Sequence, residues 1–279
     1  MQDRHCIYAK IYGERNTGTN FVQELIQKNF AACCLQGSNH IYAYIRGAGQ
    51  AIPDGHNGEF RSSLLDMDSQ RTIQSDFGWK HGVPPAETII AAPHARHTLF
   101  IAVTKHPLSW LHSLMERPYN PVEKPPRDFS QFIRHEWKLT GRDNIPGRDR
   151  INIVDLWNVK SAAYHGLGAV VGSSIVVAYE KILSDPSGFL TDVGSYLIAK
   201  RRKLVWSLAS TKDDEMSFEQ YRDKYTMEGP SLPLTASDVD YVKARIDPSL
   251  MEAFGYGWRV QQDGISGRNG AEDGEKARC

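Results

Sequence analysis

The chain has 279 residues, enough to bury a core in one α/β-sized domain or in two small ones. Hydrophobic residues make up 41% and charged residues 24%, values near the globular average that argue against a largely disordered chain. The 33 Lys and Arg balance the 33 Asp and Glu, and a net charge of zero argues against a bulk binder of nucleic acid or of anionic membranes.

The four cysteines have the spacing neither of a disulfide framework nor of a zinc site, which fits a reducing compartment. No apolar run approaches the roughly 18 residues of a membrane helix. The first residues contain no hydrophobic signal region. These features predict a cytoplasmic protein that binds no metal, membrane or nucleic acid.

The predicted elements of the first half begin with a strand at 6–12, which runs through a tight polar turn into a helix at 20–30. Residues 37–75 are rich in Gly, Ser, Asp and Asn and receive no assignment. A short strand that ends in a turn is predicted at 77–82. The stretch 97–107 contains the continuous apolar run LFIAV, which predicts a strand covered on both faces.

In the second half, Pro107 opens a helix at a first-turn position, where its missing N–H costs nothing. A Pro-rich loop at 117–129 precedes an amphipathic helix at 151–167, and a buried strand at 173–183 precedes a helix after Pro186. The last predicted segments are helices near 236–245 and 248–254 and a disordered tail at 261–279, which is Gly-rich and charged.

Strands that alternate with helices predict a three-layer α/β/α domain over residues 1–260, with a central parallel sheet and a topology like that of P-loop NTPases. In such sheets ligands bind at the carboxyl ends of the strands. The turns at 13–19, 80–82 and 104–107 are therefore expected to converge on one edge of the sheet.

The first turn, GERNTGTN, has Gly13 and Gly18 at the outer spacing of a phosphate-binding loop. Backbone N–H groups in such a turn, closing on a helix N-terminus, form an anion cradle; the plainer interpretation is that the glycines only allow a tight turn. A triphosphate-binding loop continues with Lys and Ser/Thr, for the terminal phosphates and magnesium. Here Thr19 and Asn20 stand in those places, and Arg15 supplies a fixed charge, which suits an anion such as a sulfuryl group that needs no divalent metal.

This loop resembles the 5′-phosphosulfate loop of the sulfotransferases that use PAPS (3′-phosphoadenosine 5′-phosphosulfate). The stretch VTKHPLSWLHSL resembles their 3′-phosphate motif, in which a basic residue ends a strand and a serine follows eight positions later; here the two are Lys105 and Ser113. WKHG at 79–82 resembles the strand end that carries a Lys and a catalytic His in that family. VAYEKILSDP at 177–186 and MEAFGYGW at 251–258 resemble two later motifs.

The resemblance covers roughly residues 5–260 and implies metal-independent, in-line transfer of a sulfuryl group from PAPS to a hydroxyl of a carbohydrate or small molecule. It implies that His81 is the general base and that Lys80 stabilises charge on the bridging oxygen. Glu14 is the alternative base. Because the Lys and the His are adjacent here, and not one residue apart as in many members, the chain must already turn at Gly82 if both act.

The resemblance also assigns residues to the nucleotide. Arg15 or Asn16 takes the place of the family's loop lysine, with Arg15 favoured for the sulfate or 5′-phosphate. Phe21 stacks on adenine or packs in the core, and Tyr179 reaches the adenine edge. The residues implied to bind PAPS are Arg15, Asn16, Thr17, Gly18, Thr19, Asn20, Phe21, Lys105, Ser113 and Tyr179.

Two other functions stay open: a P-loop kinase or other NTP-dependent enzyme, which would bind ATP with magnesium, and a nucleotide-binding module without turnover. The acceptor loops are expected within 37–75, 117–150 and 205–235, whose composition does not name the acceptor. The basic run at 199–204 contacts an anion or is a solvated helix end. The oligomeric state is also open.

Overall fold

The computed structural model of the protein describes residues 6–35, 57–120, 122–200, 204–205, 216–230 and 234–258. The predicted tail at 261–279 lies outside these residues, as do much of the expected acceptor loops and three positions of the basic run, 201–203.

Six strands are described, of which four form the central sheet. Their bounds are β1 Tyr8–Tyr12, β2 Cys33–Leu35, β3 Thr98–Thr104, β4 Glu136–Lys138, β5 Arg150–Asn152 and β6 Ser174–Ala178. The central sheet is parallel and has the order β2-β1-β3-β6, while β4 and β5 form a separate antiparallel pair. The predicted α/β architecture with a central parallel sheet is thus confirmed.

The described helices flank this sheet. Their bounds are α1 Thr19–Asn29, α2 Asn57–Asp76, α3 Ala86–Ala91, α4 Pro107–Glu116, α5 Phe129–Ile133, α6 Ile153–His165, α7 Leu167–Val170, α8 Tyr179–Ser184, α9 Pro186–Gly194, α10 Phe218–Lys224, α11 Ala236–Arg245 and α12 Pro248–Phe254. Short 3₁₀ turns lie at Pro93–His97 and Gly141–Asp143. No helix in the described ranges is long and apolar enough to cross a membrane.

Strand β3 is the centre of the core, and all seven of its residues are buried. Leu99, Ile101 and Val103 belong to the apolar cluster formed with α1, α8 and α9. Phe100 and Ala102, which alternate with them, belong to the cluster on the opposite face, with residues of α3, α6 and α7. Helices therefore cover both faces of the sheet, as the unbroken apolar run predicts.

The strand predicted at 77–82 is wrong. These residues form a turn that follows α2, and α2 occupies the described part, from residue 57, of the stretch that received no assignment. Phe77 and Gly78 have φ values of 59° and 74°. Two successive left-handed residues are incompatible with an extended strand.

Other boundaries move by a few residues. The strand predicted at 173–183 ends at Ala178, because the chain turns into α8 at Tyr179. The helix predicted at 151–167 begins at Ile153, because the Asn152 side chain accepts a hydrogen bond from the Val154 N–H at 2.9 Å and caps the first turn. The two helices near the end of the described chain have the predicted bounds.

Candidate functional site

The loop after β1 closes on itself before α1 begins. The Thr17 hydroxyl donates to the Glu14 carbonyl at 2.7 Å, and Asn16 takes a left-handed φ of 66°. Gly18 precedes α1 with a φ of 87° and has no side chain to cap the helix. The first turn of α1 also contains no acidic residue. Its N–H groups are therefore free of a competing cap and suit an anion.

Gly13 and Gly18 not only allow the turn but also let the loop approach its neighbours closely. A Cβ on Gly13 would lie 2.6 Å from the Val103 carbonyl oxygen at the end of β3. A Cβ on Gly18 would lie 2.4 Å from Cδ2 of the Tyr179 ring. The loop thus packs directly on β3 and on the start of α8, which brings the ends of three strands together.

Replacing Gly18 with Ala should therefore destabilise the fold and distort the loop. The left-handed φ costs roughly 1–2 kcal/mol for a residue with a Cβ, and the overlap with Tyr179 adds roughly 1–3 kcal/mol. Urea unfolding measures the loss. Gly147→Ala is the matched control, because Gly147 has a φ of 72° and no atom of the described part of the chain lies within 4 Å of the added Cβ. Equal losses in the two variants would show that the Tyr179 contact adds nothing.

Lys105 and Ser113 lie against the loop. The Lys105 Nζ donates to Ser113 Oγ at 2.9 Å and approaches the Asn16 carbonyl oxygen at 3.4 Å. The Tyr225 ring centroid lies 3.6 Å from Nζ, and the Tyr225 hydroxyl lies 3.3 Å from Ser113 Oγ. Lys105 is only 1% exposed, and the Tyr225 ring is one of the groups packed against its ammonium.

Lys80 and His81 reach the same loop, although no strand carries them. The Gly13 N–H donates to the Lys80 carbonyl at 3.0 Å, and the Lys80 Nζ donates to Asn20 Oδ1 at 2.5 Å. The His81 Nδ1 lies 2.6 Å from the Gly13 carbonyl oxygen. Because a carbonyl oxygen only accepts, Nδ1 carries the proton and Nε2 of the neutral ring holds the lone pair. The turn at 80–82 thus lets both side chains act on one loop.

Burial shifts the protonation of this pair. It lowers the pKa of Lys80 to about 8. It also lowers the pKa of His81 well below its ordinary value, and the charges of Lys80 and Arg15 act in the same direction. His81 is therefore neutral at pH 7. A bound anion would raise both pKa values, because a nearby negative charge favours the protonated form.

Arg15 lies in a buried group of four charges, called here the ionic cluster: Glu14, Arg15, Asp143 and Lys160. The Arg15 Nη1 lies 2.7 Å from Glu14 Oε1 and 3.5 Å from Asp143 Oδ1. The Lys160 Nζ lies 2.9 Å from Asp143 Oδ1 and 3.1 Å from Glu14 Oε2. Two acids and two bases make the cluster neutral. The nucleotide contact assigned to Arg15 stays a prediction, since Nη1 here faces these two acids.

Two guanidinium groups lie against the Trp79 indole beside His81. Arg15 lies 4.6 Å from the ring centroid and Arg142 lies 4.8 Å from it. Arg142 in turn pairs with Asp66 on α2 at 2.7 Å. The His81 ring meets the indole edge-on, with the centroids 5.0 Å apart. The aromatic ring thus gives two cations a favourable contact next to the candidate base.

The two candidate adenine contacts are buried aromatic residues. The Tyr179 ring lies edge-on to Phe21, with centroids 6.3 Å apart, and to Tyr225 at 5.8 Å. Phe21 is buried in the same apolar cluster as α1 and β3. Core packing of Phe21 is therefore observed, and adenine contacts by Phe21 and Tyr179 stay predictions.

Four residues around this site were not predicted from the sequence: Trp79, Asp143, Lys160 and Tyr225. The last three lie far along the chain from the loop, and Tyr225 falls within the expected acceptor loop at 205–235. Trp79 belongs to WKHG, of which only the Lys and the His were predicted to act. A buried lysine in the middle of the amphipathic helix around Lys160 was the one available signal.

No family model matches the chain, and no curated protein matches its sequence. Within the described part of the chain, no group of three or more His, Cys, Asp or Glu residues is placed to hold a metal ion.

The Glu180 side chain, which follows β6, hydrogen-bonds the segment that follows β3, close enough to Lys105 to interact with its charge. Its Oε1 accepts from the His106 N–H at 3.0 Å, and the Tyr256 hydroxyl donates to its Oε2 at 3.3 Å. Burial raises the pKa of Glu180 to about 7, although the charge of Lys105 acts in the opposite direction.

Glu180 should make the protein less stable as the pH rises from about 4.5 to about 7. In that window the folded protein holds a proton that the unfolded chain has released, so the free energy of unfolding falls with pH. Urea unfolding of the native protein and of Glu180→Gln across this window measures the effect. We expect a flatter profile for the variant, because glutamine does not titrate; parallel profiles would contradict the prediction.

Proposed function

We propose that the protein transfers a sulfuryl group from PAPS to a hydroxyl of a carbohydrate or small-molecule acceptor. The observation that carries the proposal is the meeting of three segments that are distant in the chain. The turn with Lys80 and His81 and the Lys105–Ser113 pair each contact the loop at 13–20 directly.

The donor groups at this place match the anionic groups of such a nucleotide. The loop and the N-terminus of α1 offer backbone N–H groups, and Lys80 adds a cation, for the 5′-phosphosulfate. Lys105 and Ser113 offer an ammonium and a hydroxyl 2.9 Å apart for the ribose phosphate. Thr19 and Asn20, where a triphosphate-binding loop has Lys and Ser/Thr, favour this ligand over a nucleoside triphosphate.

His81 is the candidate base. PAPS supplies an activated sulfuryl group with a phosphate leaving group. The lone pair on His81 Nε2 takes the proton of the acceptor hydroxyl, and the Gly13 carbonyl holds the ring in that tautomer. Lys80 stabilises the negative charge that develops on the bridging oxygen. Glu14 suits the base role less well, because its carboxylate already pairs with Arg15 and Lys160.

Isothermal titration with PAP, the desulfated nucleotide, in the presence of EDTA tests the proposal. We expect binding below millimolar concentration that EDTA does not affect. Absence of binding at millimolar PAP would refute the proposal, and magnesium-dependent binding of ATP in its place would indicate an NTP-dependent enzyme. An acceptor screen with labelled PAPS then tests transfer; PAP binding with no acceptor sulfated would indicate a binding module.

A further inference from the structure

The turn that carries Lys80 and His81 is held through its carbonyl groups. All five carbonyls from Phe77 to His81 accept a hydrogen bond. The donors, in the order of the carbonyls, are Tyr12 Oη at 2.5 Å, Lys10 Nζ at 2.5 Å, Gly82 N at 3.0 Å, Gly13 N at 3.0 Å and Lys160 Nζ. Four of these donors lie outside the turn, so its shape is imposed by the rest of the molecule.

Two of the outside donors are side chains of β1. Lys10 and Tyr12 are two positions apart and therefore lie on the same face of the strand. Both are fully buried. Asp76 and Lys80 are the charged groups that act on Lys10, and burial lowers its pKa to about 7. An ammonium group in the centre of a sheet is costly, whereas a leucine or methionine would fill the same space without that cost.

The carbonyls that these side chains hold belong to the two left-handed residues of the turn. Tyr12 binds the carbonyl of Phe77, which has a φ of 59°, and Lys10 binds that of Gly78, which has a φ of 74°. A left-handed backbone is unfavourable for a phenylalanine. The conformation that directs Lys80 and His81 at the loop is thus strained at its first residue and anchored at its first two carbonyls.

We propose that Lys10 and Tyr12 are positioning residues, which anchor the strained turn to β1 and thereby hold His81 and Lys80 against the loop at 13–20. The catalytic meaning of this anchoring rests on the proposed function. The anchoring itself does not, and it is measurable on the protein without nucleotide.

Three variants test the anchoring. Lys10→Met and Tyr12→Phe each remove one donor and keep most of the side-chain volume. Tyr12→Phe changes no charge. If the two variants give the same result, its cause is therefore loss of the hydrogen bond and not loss of the Lys10 charge. Tyr164→Phe is the matched control, because the Tyr164 ring stacks on Tyr12 with centroids 6.4 Å apart, while its buried hydroxyl has no hydrogen-bond partner among the described residues.

The main readout is the pH titration of the His81 imidazole by NMR, with the signal assigned from its loss in His81→Ala. Lys80, Arg15 and Lys160 are the charged groups that act on His81, and all three remain in every variant. We expect the His81 pKa to move up toward its ordinary value in both anchor variants, because a ring released from the turn becomes hydrated and moves away from these three cations. Loss of the Gly13 carbonyl contact acts in the opposite direction but is the smaller effect, since burial is the main cause of the lowered pKa. In Tyr164→Phe the titration should be unchanged.

The second readout separates this inference from the proposed function. If PAP binds and transfer is observed, kcat should fall about 10²-fold in the anchor variants, with little change in PAP affinity, because a small misplacement of the reacting groups suffices. Unchanged His81 titration and kcat in both anchor variants, or an equal shift in Tyr164→Phe, would overturn the anchoring while leaving the function intact. If PAP does not bind the native protein, but the His81 titration shifts as expected, the anchoring stands and the proposed function fails.

Discussion

Replacing Lys105 with Met should weaken the binding of PAP at least about 30-fold, which corresponds to roughly 2 kcal/mol. In the proposed site this ammonium pairs with the ribose phosphate, and no other cation is within hydrogen-bond distance of Ser113 among the described residues. Met keeps most of the apolar stem of the lysine side chain, so the variant removes the charge that lies over the Tyr225 ring without opening a large cavity. Isothermal titration measures the change.

The ligand supplies a sharper control for the same position. AMP lacks the 3′-phosphate, so the native protein should bind PAP more tightly than AMP, and Lys105→Met should abolish that difference. Lys181→Met, at an exposed lysine on α8, should leave both affinities unchanged. If the variant weakened PAP and AMP equally, Lys105 would support the fold of the site and not contact the 3′-phosphate.

Asp143→Asn should be among the most destabilising substitutions in the protein, at roughly 3–5 kcal/mol. The carboxylate is fully buried and pairs with both Lys160 and Arg15, and its second oxygen accepts from the Thr140 N–H and hydroxyl. An amide leaves two buried cations with only Glu14 to balance them. The free energy of urea unfolding at pH 7 measures the loss.

The pH dependence of that loss identifies its cause. Burial alone would raise the pKa of Asp143, but the charges of Lys160 and Arg15 lower it below its ordinary value. The unfolded chain titrates this group near about 3.9, so the stabilisation is present above that pH and is lost as the pH falls through the folded value. The stability gap between the native protein and the variant should therefore begin to narrow below about pH 4 and close only as the pH falls through the lower folded pKa. A gap that does not narrow below about pH 4 would point to packing, and the exposed Asp149→Asn should show little gap at any pH.

The central fold was predictable because its signals are local. The run LFIAV requires a strand buried on both faces, and Pro107 marks the start of the helix that follows it. The turn at 77–82 was not predictable in the same way. Its left-handed backbone is stabilised by Lys10 and Tyr12, which lie more than sixty positions earlier in the chain. The local sequence FGWKHG therefore does not indicate those contacts.

In the candidate site, too, some features could be predicted from the sequence and others could not. The proximity of the loop and Lys105 follows from topology, because the carboxyl ends of parallel strands meet at one edge of the sheet. The direction of the Arg15 guanidinium does not, since it depends on Asp143, which is contributed from a distant 3₁₀ turn. The contact between the Tyr225 ring and the Lys105 ammonium likewise depends on packing between segments that share no sequence pattern.

The order of the sheet also bears on how the nascent protein matures. β1 pairs with β3, so that Tyr8 lies beside Thr98, and β3 in turn pairs with β6, so that Phe100 lies beside Ser174. Contacts between such distant segments form slowly, because long loops must close first. During translation β1 emerges from the ribosome long before β3 and β6. The central sheet is therefore completed only after more than half of the polypeptide has been synthesised, and until then the edge of β1 that pairs with β3 lacks its partner strand.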